Sequence, residues 1–267
     1  MAALGLGVTG ACLATVLSLT VSAILVLAAL IRSKESYRYI PRNTRIHAVP
    51  LKRIIHIGVP AGFQSAMYSI ANIIIQTVIN RLGTNAMAAY SAFGKLDSFY
   101  WMMINALGVS ITTFAAQNFG ARKLNRVYKG MHCAYALGSA ISVFILVLML
   151  PFGRTFISLF TKDEEVIELG VSLVHWIMPF LIFYVPVDVL SGSLRAIGDS
   201  WPGMVITGIG ICVFRVLWIL FVLPSHNTLV LASLCFPISW AITSLAFAIY
   251  YYFFSILGRK HSIPAGS

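Results

Sequence analysis

The sequence predicts an all-α, polytopic membrane protein of about seven transmembrane helices, and three observations carry that reading. Of its 267 residues, 59% are hydrophobic and 10% charged, against roughly 45–50% and about 25% in an ordinary soluble domain. The mean hydropathy is +0.87, which leaves too little polar surface to cover a globule of this size and excludes a disordered chain. Uncharged runs such as 1–31 and 216–258 exceed the roughly 20 apolar residues that a helix needs to cross a bilayer.

The spans fall near residues 4–31, 58–80, 86–116, 131–152, 169–192, 204–223 and 229–257. The first lacks a basic leader and is too long for a signal-peptide core, so it reads as a retained membrane helix. Residues 32–57 form the only long connection, a basic cytoplasmic linker carrying Arg32, Lys34, Arg38, Arg42, Arg45, Lys52 and Arg53 against a single Glu35. Within it, Leu51 to Ile57 mixes apolar and basic residues, either as an interfacial helix or as a charged run-in to the second span. Later connections separate by charge: Arg122, Lys123, Arg126 and Lys129 fall in one, and Asp163, Glu164, Glu165 and Glu168 in the next. The positive-inside rule then places the N-terminus outside and the C-terminus, with the tail 258–267, in the cytoplasm of a plasma membrane. The net charge of +11 is therefore an orientation signal, with the lipid bilayer as the partner and no nucleic acid. Cys12, Cys133, Cys212 and Cys235 lie in or beside apolar stretches with no CxxC spacing, which predicts four buried thiols, no disulfide and no metal site.

Polar residues at bilayer depth are expensive and should face protein or a wetted cavity. In the second span Gln64, Tyr68, Asn72, Gln76 and Asn80 recur every four residues, a single polar stripe that suggests a cavity wall more than isolated interhelical hydrogen bonds. In the third span Lys95 and Asp97 lie roughly 15 and 18 Å below the outer surface at 1.5 Å per residue, too deep to snorkel easily. Two residues apart, they point in different directions, whereas Asp97, Trp101 and Asn105 share one face. Tyr90, Phe93, Phe99 and Tyr100 add aromatic faces that suit organic cations, or simple packing. In the fifth span His175 and Asp188 flank Pro179 and Pro186, which break the helical ladder and free backbone carbonyls. Asp188 is an ion or proton site there, or a partner for Arg195; His175 is a relay or a packing histidine. Arg215 lies about 17 Å into the sixth span, the natural counter-charge for Asp97 or Asp188, or one half of a structural ion pair. No HExxH, GxSxG, Walker A or strand-to-helix GxGxxG occurs, so an enzyme is not expected.

Three segments then resemble one family in order and spacing: Gly58-Val59-Pro60-Ala61-Gly62-Phe63-Gln64, Ala116-Gln117-Asn118-Phe119-Gly120-Ala121-Arg122 followed by Arg126, and Val189-Leu190-Ser191-Gly192-Ser193-Leu194-Arg195-Ala196-Ile197-Gly198-Asp199-Ser200. Together they resemble the second half of the MATE transporters, the multidrug and toxic compound extrusion family. The resemblance implies that 58–257 is one six-helix bundle of a two-bundle fold and that 1–31, with Gly7-Val8-Thr9-Gly10-Ala11, is the last helix of the other bundle. It also implies export of organic, often cationic compounds in exchange for sodium ions or protons, with no cofactor. Asp97, in Lys95-Leu96-Asp97, and Asp188 are the candidates for ion coupling or substrate binding, alongside Lys95 and Arg215. Gln64, Tyr68, Asn72, Gln76, Trp101, Asn105 and His175 are the candidates for lining the cavity. Where some relatives carry an acidic residue beyond the opening glycine of this bundle, Tyr68 and Ser69 stand instead, so the coupling site does not carry over intact. The expected partner is a missing N-terminal bundle in the same longer chain, or a second copy of this one. A related lipid-linked oligosaccharide flippase would need a more cationic cavity. A seven-helix receptor is the remaining alternative, although the last span holds no lysine for a retinal Schiff base.

Overall fold

The structure, a computed structural model, describes residues 7–34, 38–40, 45–225 and 228–255. Those residues are helical almost throughout and include no strand, as a bilayer demands: without water, each backbone N–H and C=O must be satisfied within its own segment. The cytoplasmic tail expected at 258–267, the first residues of the first span and parts of the linker lie outside the described residues.

The chain divides into two compact units, Met1–Lys52 and Arg53–Ser267. The first holds α1 (Gly7–Arg32), at whose end the Tyr39 N–H donates to the Leu30 carbonyl at 3.1 Å and Arg38 Nε to that of Ile31 at 3.1 Å. Helix α2 (Ala48–Arg81) begins ten residues ahead of the expected span and runs through Leu51 to Ile57 without a break. Pro50 permits this early start because it stands in the first turn, where its missing N–H has no intrahelical partner.

The second unit continues through α3 (Thr84–Gly120), α4 (Leu124–Ser158) and α5 (Glu164–Ile177). A 3₁₀ stretch, Met178–Phe183, leads into α6 (Tyr184–Ala196) and then α7 (Ser200–Thr207). A π-helical stretch, Gly208–Val213, precedes the single turn α8 (Phe214–Leu217), and a second, Trp218–Val222, follows it. Helices α9 (Leu229–Ser233) and α10 (Cys235–Phe253) complete the unit. Six elements of the described chain are long and apolar enough to cross a membrane. Helix α2 has the length, but its polar stripe lowers its hydropathy. Gly83 and Gly198, with φ of 109° and 89°, turn the chain after α2 and after α6 in backbone conformations that disfavour any side chain.

Helix α3 is the centre, packed on α4, α5 and α6, while α10 lies along α6 and the π-distorted element. Small residues set these approaches, as expected where lipid supplies no hydrophobic drive. Gly138 of α4 receives Val185 and Leu107, Gly170 of α5 receives Ile157, and Gly210 receives Thr243 of α10. The acidic connection is held by Arg154, which pairs with both Glu164 and Glu168, by Asp163 capping α5, and by a 2.7 Å hydrogen bond from Asn85 to Glu165.

The prolines of the fifth span act as the sequence requires. The ladder relaxes to 3₁₀ geometry between Pro179 and Pro186, and the Leu181 carbonyl accepts a hydrogen bond from the buried Tyr100 hydroxyl at 2.9 Å. This bond ties the bend of the fifth span to α3. Tyr100→Phe should therefore lower stability by about 1 kcal/mol or more, measured as a lower melting temperature in detergent, and should leave the helical content unchanged.

The thiols differ from expectation in part. All four are free, but only Cys212 and Cys235 are buried; Cys12 and Cys133 are exposed. An apolar stretch does not imply burial in a membrane protein, because the outer faces of its helices are apolar too.

Candidate functional site

Six elements of the second unit line a cavity of about 610 Å³, α5 through Ile177 alone. From α2 come Gln64, Tyr68, Asn72 and Gln76, four of the five stripe residues; Asn80 lies beyond and accepts a hydrogen bond from Gln76 at 2.8 Å. The stripe both lines the cavity and binds across the bundle: Gln64 Nε2 donates to Thr207 Oγ1 at 2.8 Å and reaches Ser191 Oγ at 3.5 Å. From α3 come Tyr90, Phe93, Asp97, Trp101 and Asn105, so the expected Asp97, Trp101 and Asn105 face is the lining face. Trp101 Nε1 donates to Asp97 Oδ2 at 2.6 Å, and Asn105 Nδ2 donates to the Trp101 carbonyl at 2.7 Å.

Helix α6 contributes Tyr184, Val187, Asp188, Ser191 and Arg195. The positions 184, 188, 191 and 195 follow helical spacing and form one face, made continuous because Pro186 lies in the first turn of α6, where a missing N–H does not interrupt the helix. Asp188 lies directly against α3. A Cβ on Gly108 would stand 2.9 Å from its Oδ1 and closer still to Oδ2, so the glycine makes the space that the carboxylate fills. From α10 come Phe236 and Trp240, one turn apart. Trp101, Tyr184 and Trp240 meet edge to face, with centroids 4.7 Å apart for Trp101 and Tyr184 and 6.1 Å for Trp101 and Trp240.

Arg215, from α8, is 3% exposed. Its Nε donates to Ser239 Oγ at 3.1 Å, its Nη1 to Asn72 Oδ1 at 3.4 Å, and its guanidinium lies 4.4 Å from the Phe236 ring centroid. The expected counter-charge role of Arg215 is corrected: neither Asp97 nor Asp188 pairs with it, and Arg195 is the charge that acts on Asp188, without closing a salt bridge. Among the described residues the ion pairs are those of Arg154. Neutral acceptors and an aromatic face replace the carboxylate. Asp97 Oδ1 and Asp188 Oδ2 are buried without a hydrogen-bond partner, a condition that costs several kcal/mol for an ionised group away from water.

Two candidates lie outside the cavity. Lys95 is exposed, with its Nζ 4.8 Å from the Phe160 ring beyond the end of α4; its flexible stem reaches the helix ends after all. His175 is also exposed, its Nδ1 2.9 Å from the Val171 carbonyl one turn back. Sequence reasoning missed Tyr184, Phe236 and Trp240 as lining residues. Counting turns from Asp188 finds the first; the α10 pair gives no sign, because aromatic residues are common along its whole length.

Residues 60–220, more than half of the chain, match the family model MatE. The chain belongs to this family. The MatE family is one of transporters rather than enzymes, and this member is a multi-pass membrane protein. The probable multidrug resistance protein YoeA of Bacillus subtilis is 26% identical over 260 residues, which cover 93% of this chain and 54% of that protein. The probable multidrug resistance protein NorM of Thermotoga maritima is 26% identical over 79% of this chain and 45% of its own. This MatE chain thus spans about half the length of the curated relatives it matches. Among solved structures, a MATE crystallised in complex with MaL6 superposes with a TM-score of 0.84 at 19% identity, over 97% of this chain and 57% of that one. A MOP superfamily transporter from Pyrococcus furiosus gives 0.83 at 19% identity with the same coverage; both show the fold alone.

Proposed function

We propose that this chain forms one half of a secondary antiporter that exports organic, often cationic compounds in exchange for sodium ions or protons. The observation that carries the reading is the pair of carboxylates on one cavity, Asp97 and Asp188, each with a buried oxygen lacking a partner. A carboxylate so placed is stabilised by taking up a proton, a metal cation or the cationic group of a substrate, and these alternatives exclude one another. Exchange follows when the cavity opens alternately to the two sides. The ring cluster of Trp101, Tyr184 and Trp240 beside Asp97 suits a delocalised organic cation. The names of the relatives, multidrug resistance and export proteins, support efflux. The flippase alternative is disfavoured by charge, since the cavity holds as many carboxylates, Asp97 and Asp188, as guanidinium groups, Arg195 and Arg215.

In this reading the other half of the cavity comes from a second bundle in the same longer chain, or from a second copy. The basic linker and the basic connection after α3 lie in the cytoplasm, with α1 entering from outside the plasma membrane. The test is dye efflux from vesicles holding the full gene product. An imposed sodium or proton gradient should drive it without ATP, and ionophores that dissipate both gradients should stop it. Efflux that persists without either gradient sinks the antiport reading.

A further inference from the structure

We propose that Arg215 is a subsite for the carboxylate of the substrate, so that the cavity takes amphoteric organic compounds, a delocalised cation carrying a carboxylate, in preference to plain cations. This rests on the reading of the cavity as the substrate site. Arg215 is buried against neutral partners only, Ser239, Asn72 and the Phe236 ring, and lines the cavity without a carboxylate of the protein to balance it. A buried guanidinium in that state is strongly destabilising unless an anion reaches it, and its planar fork matches a carboxylate. The aromatic residues give the distance between charges a fixed wall. Phe236 under Arg215 lies 6.1 Å from Trp240, Trp240 lies 6.1 Å from Trp101, and Trp101 hydrogen-bonds Asp97. A row of rings therefore runs from a cation without an ion pair to a carboxylate without one, complementary to an aromatic molecule that carries its anion at one end and its cation at the other. Ser239 occupies Nε and Asn72 takes one hydrogen of Nη1, which leaves Nη2 and the second Nη1 hydrogen for one monoanion.

The probes are tetramethylrhodamine, a xanthylium cation bearing a free benzoate, and its methyl ester, which lacks the negative charge. Binding is followed by fluorescence polarisation on the full gene product in lipid nanodiscs. The free benzoate should bind about tenfold more tightly than the ester, the size of one charge-assisted hydrogen bond. Arg215→Gln should bring that ratio near unity, with the ester gaining affinity because a like charge has gone. Asn72→Asp does the same without removing the arginine: it is isosteric and places a carboxylate where Nη1 already points, so a folding defect in the first variant leaves the test intact. Arg215→Lys should keep part of the preference. Equal binding of the two dyes to the wild type, or a preference that survives both variants, overturns the subsite while the ester's binding keeps the cavity reading. Binding of neither dye overturns the cavity reading and the subsite with it.

Discussion

Efflux in an Asp188→Asn variant should fall to the level of empty vesicles and should no longer respond to an imposed sodium or proton gradient. The side chain is isosteric, so it still fills the space that Gly108 leaves, and the change is one of charge alone. The buried oxygen that lacks a partner becomes part of a neutral amide, which has neither a proton to exchange nor a charge to hold a cation. Asp97→Asn should differ in kind. The Trp101 indole keeps an acceptor, while the cluster of Trp101, Tyr184 and Trp240 loses the negative charge beside it, so the affinity for an organic cation falls. Measuring gradient-driven efflux and equilibrium dye binding for both variants separates the two roles. Unchanged ion-dependent efflux in Asp188→Asn would remove Asp188 from the mechanism.

How much of this was legible depends on whether the signal was local. The α2 stripe and the Asp97, Trp101 and Asn105 face follow from helical spacing alone, and all of these but Asn80 line the cavity. The bend of the fifth span follows from Pro179 and Pro186, and the carbonyl freed there meets Tyr100. What failed was the partner expected for Arg215 and the depth expected for Lys95. Arg215 was expected opposite a carboxylate, but its neighbours are set by two π-helical stretches that turn α8 toward α2 and α10, and such stretches leave no proline in the sequence to announce them. Lys95 was judged by depth, yet the length of its side chain decided its position. Cys12 and Cys133 were read as buried because their surroundings are apolar, a rule that holds only where apolar means inside.

Gly108→Ala should abolish coupling while leaving the protein as stable as before or slightly more so. In most helix interiors the change is favourable by roughly 0.5–1 kcal/mol, because alanine loses less backbone entropy on folding. Here the added Cβ would meet the Asp188 carboxylate, within 2.9 Å of Oδ1, a separation that two unbonded atoms do not keep. The obstacle is the end of a side chain and not backbone, so the fold yields by turning Asp188 about its own torsions, and the helices stay in place. The buried carboxylate then leaves the position that the α3 and α6 backbones define for it. Thermal melting in detergent should accordingly be unchanged or raised, while gradient-driven efflux falls toward the Asp188→Asn level. Gly94, about four turns earlier on the same helix, has open space around it and serves as the control, since Gly94→Ala should keep both properties. Full activity in Gly108→Ala would mean that the carboxylate works from more than one position, and that its contact with α3 is packing and not part of the site.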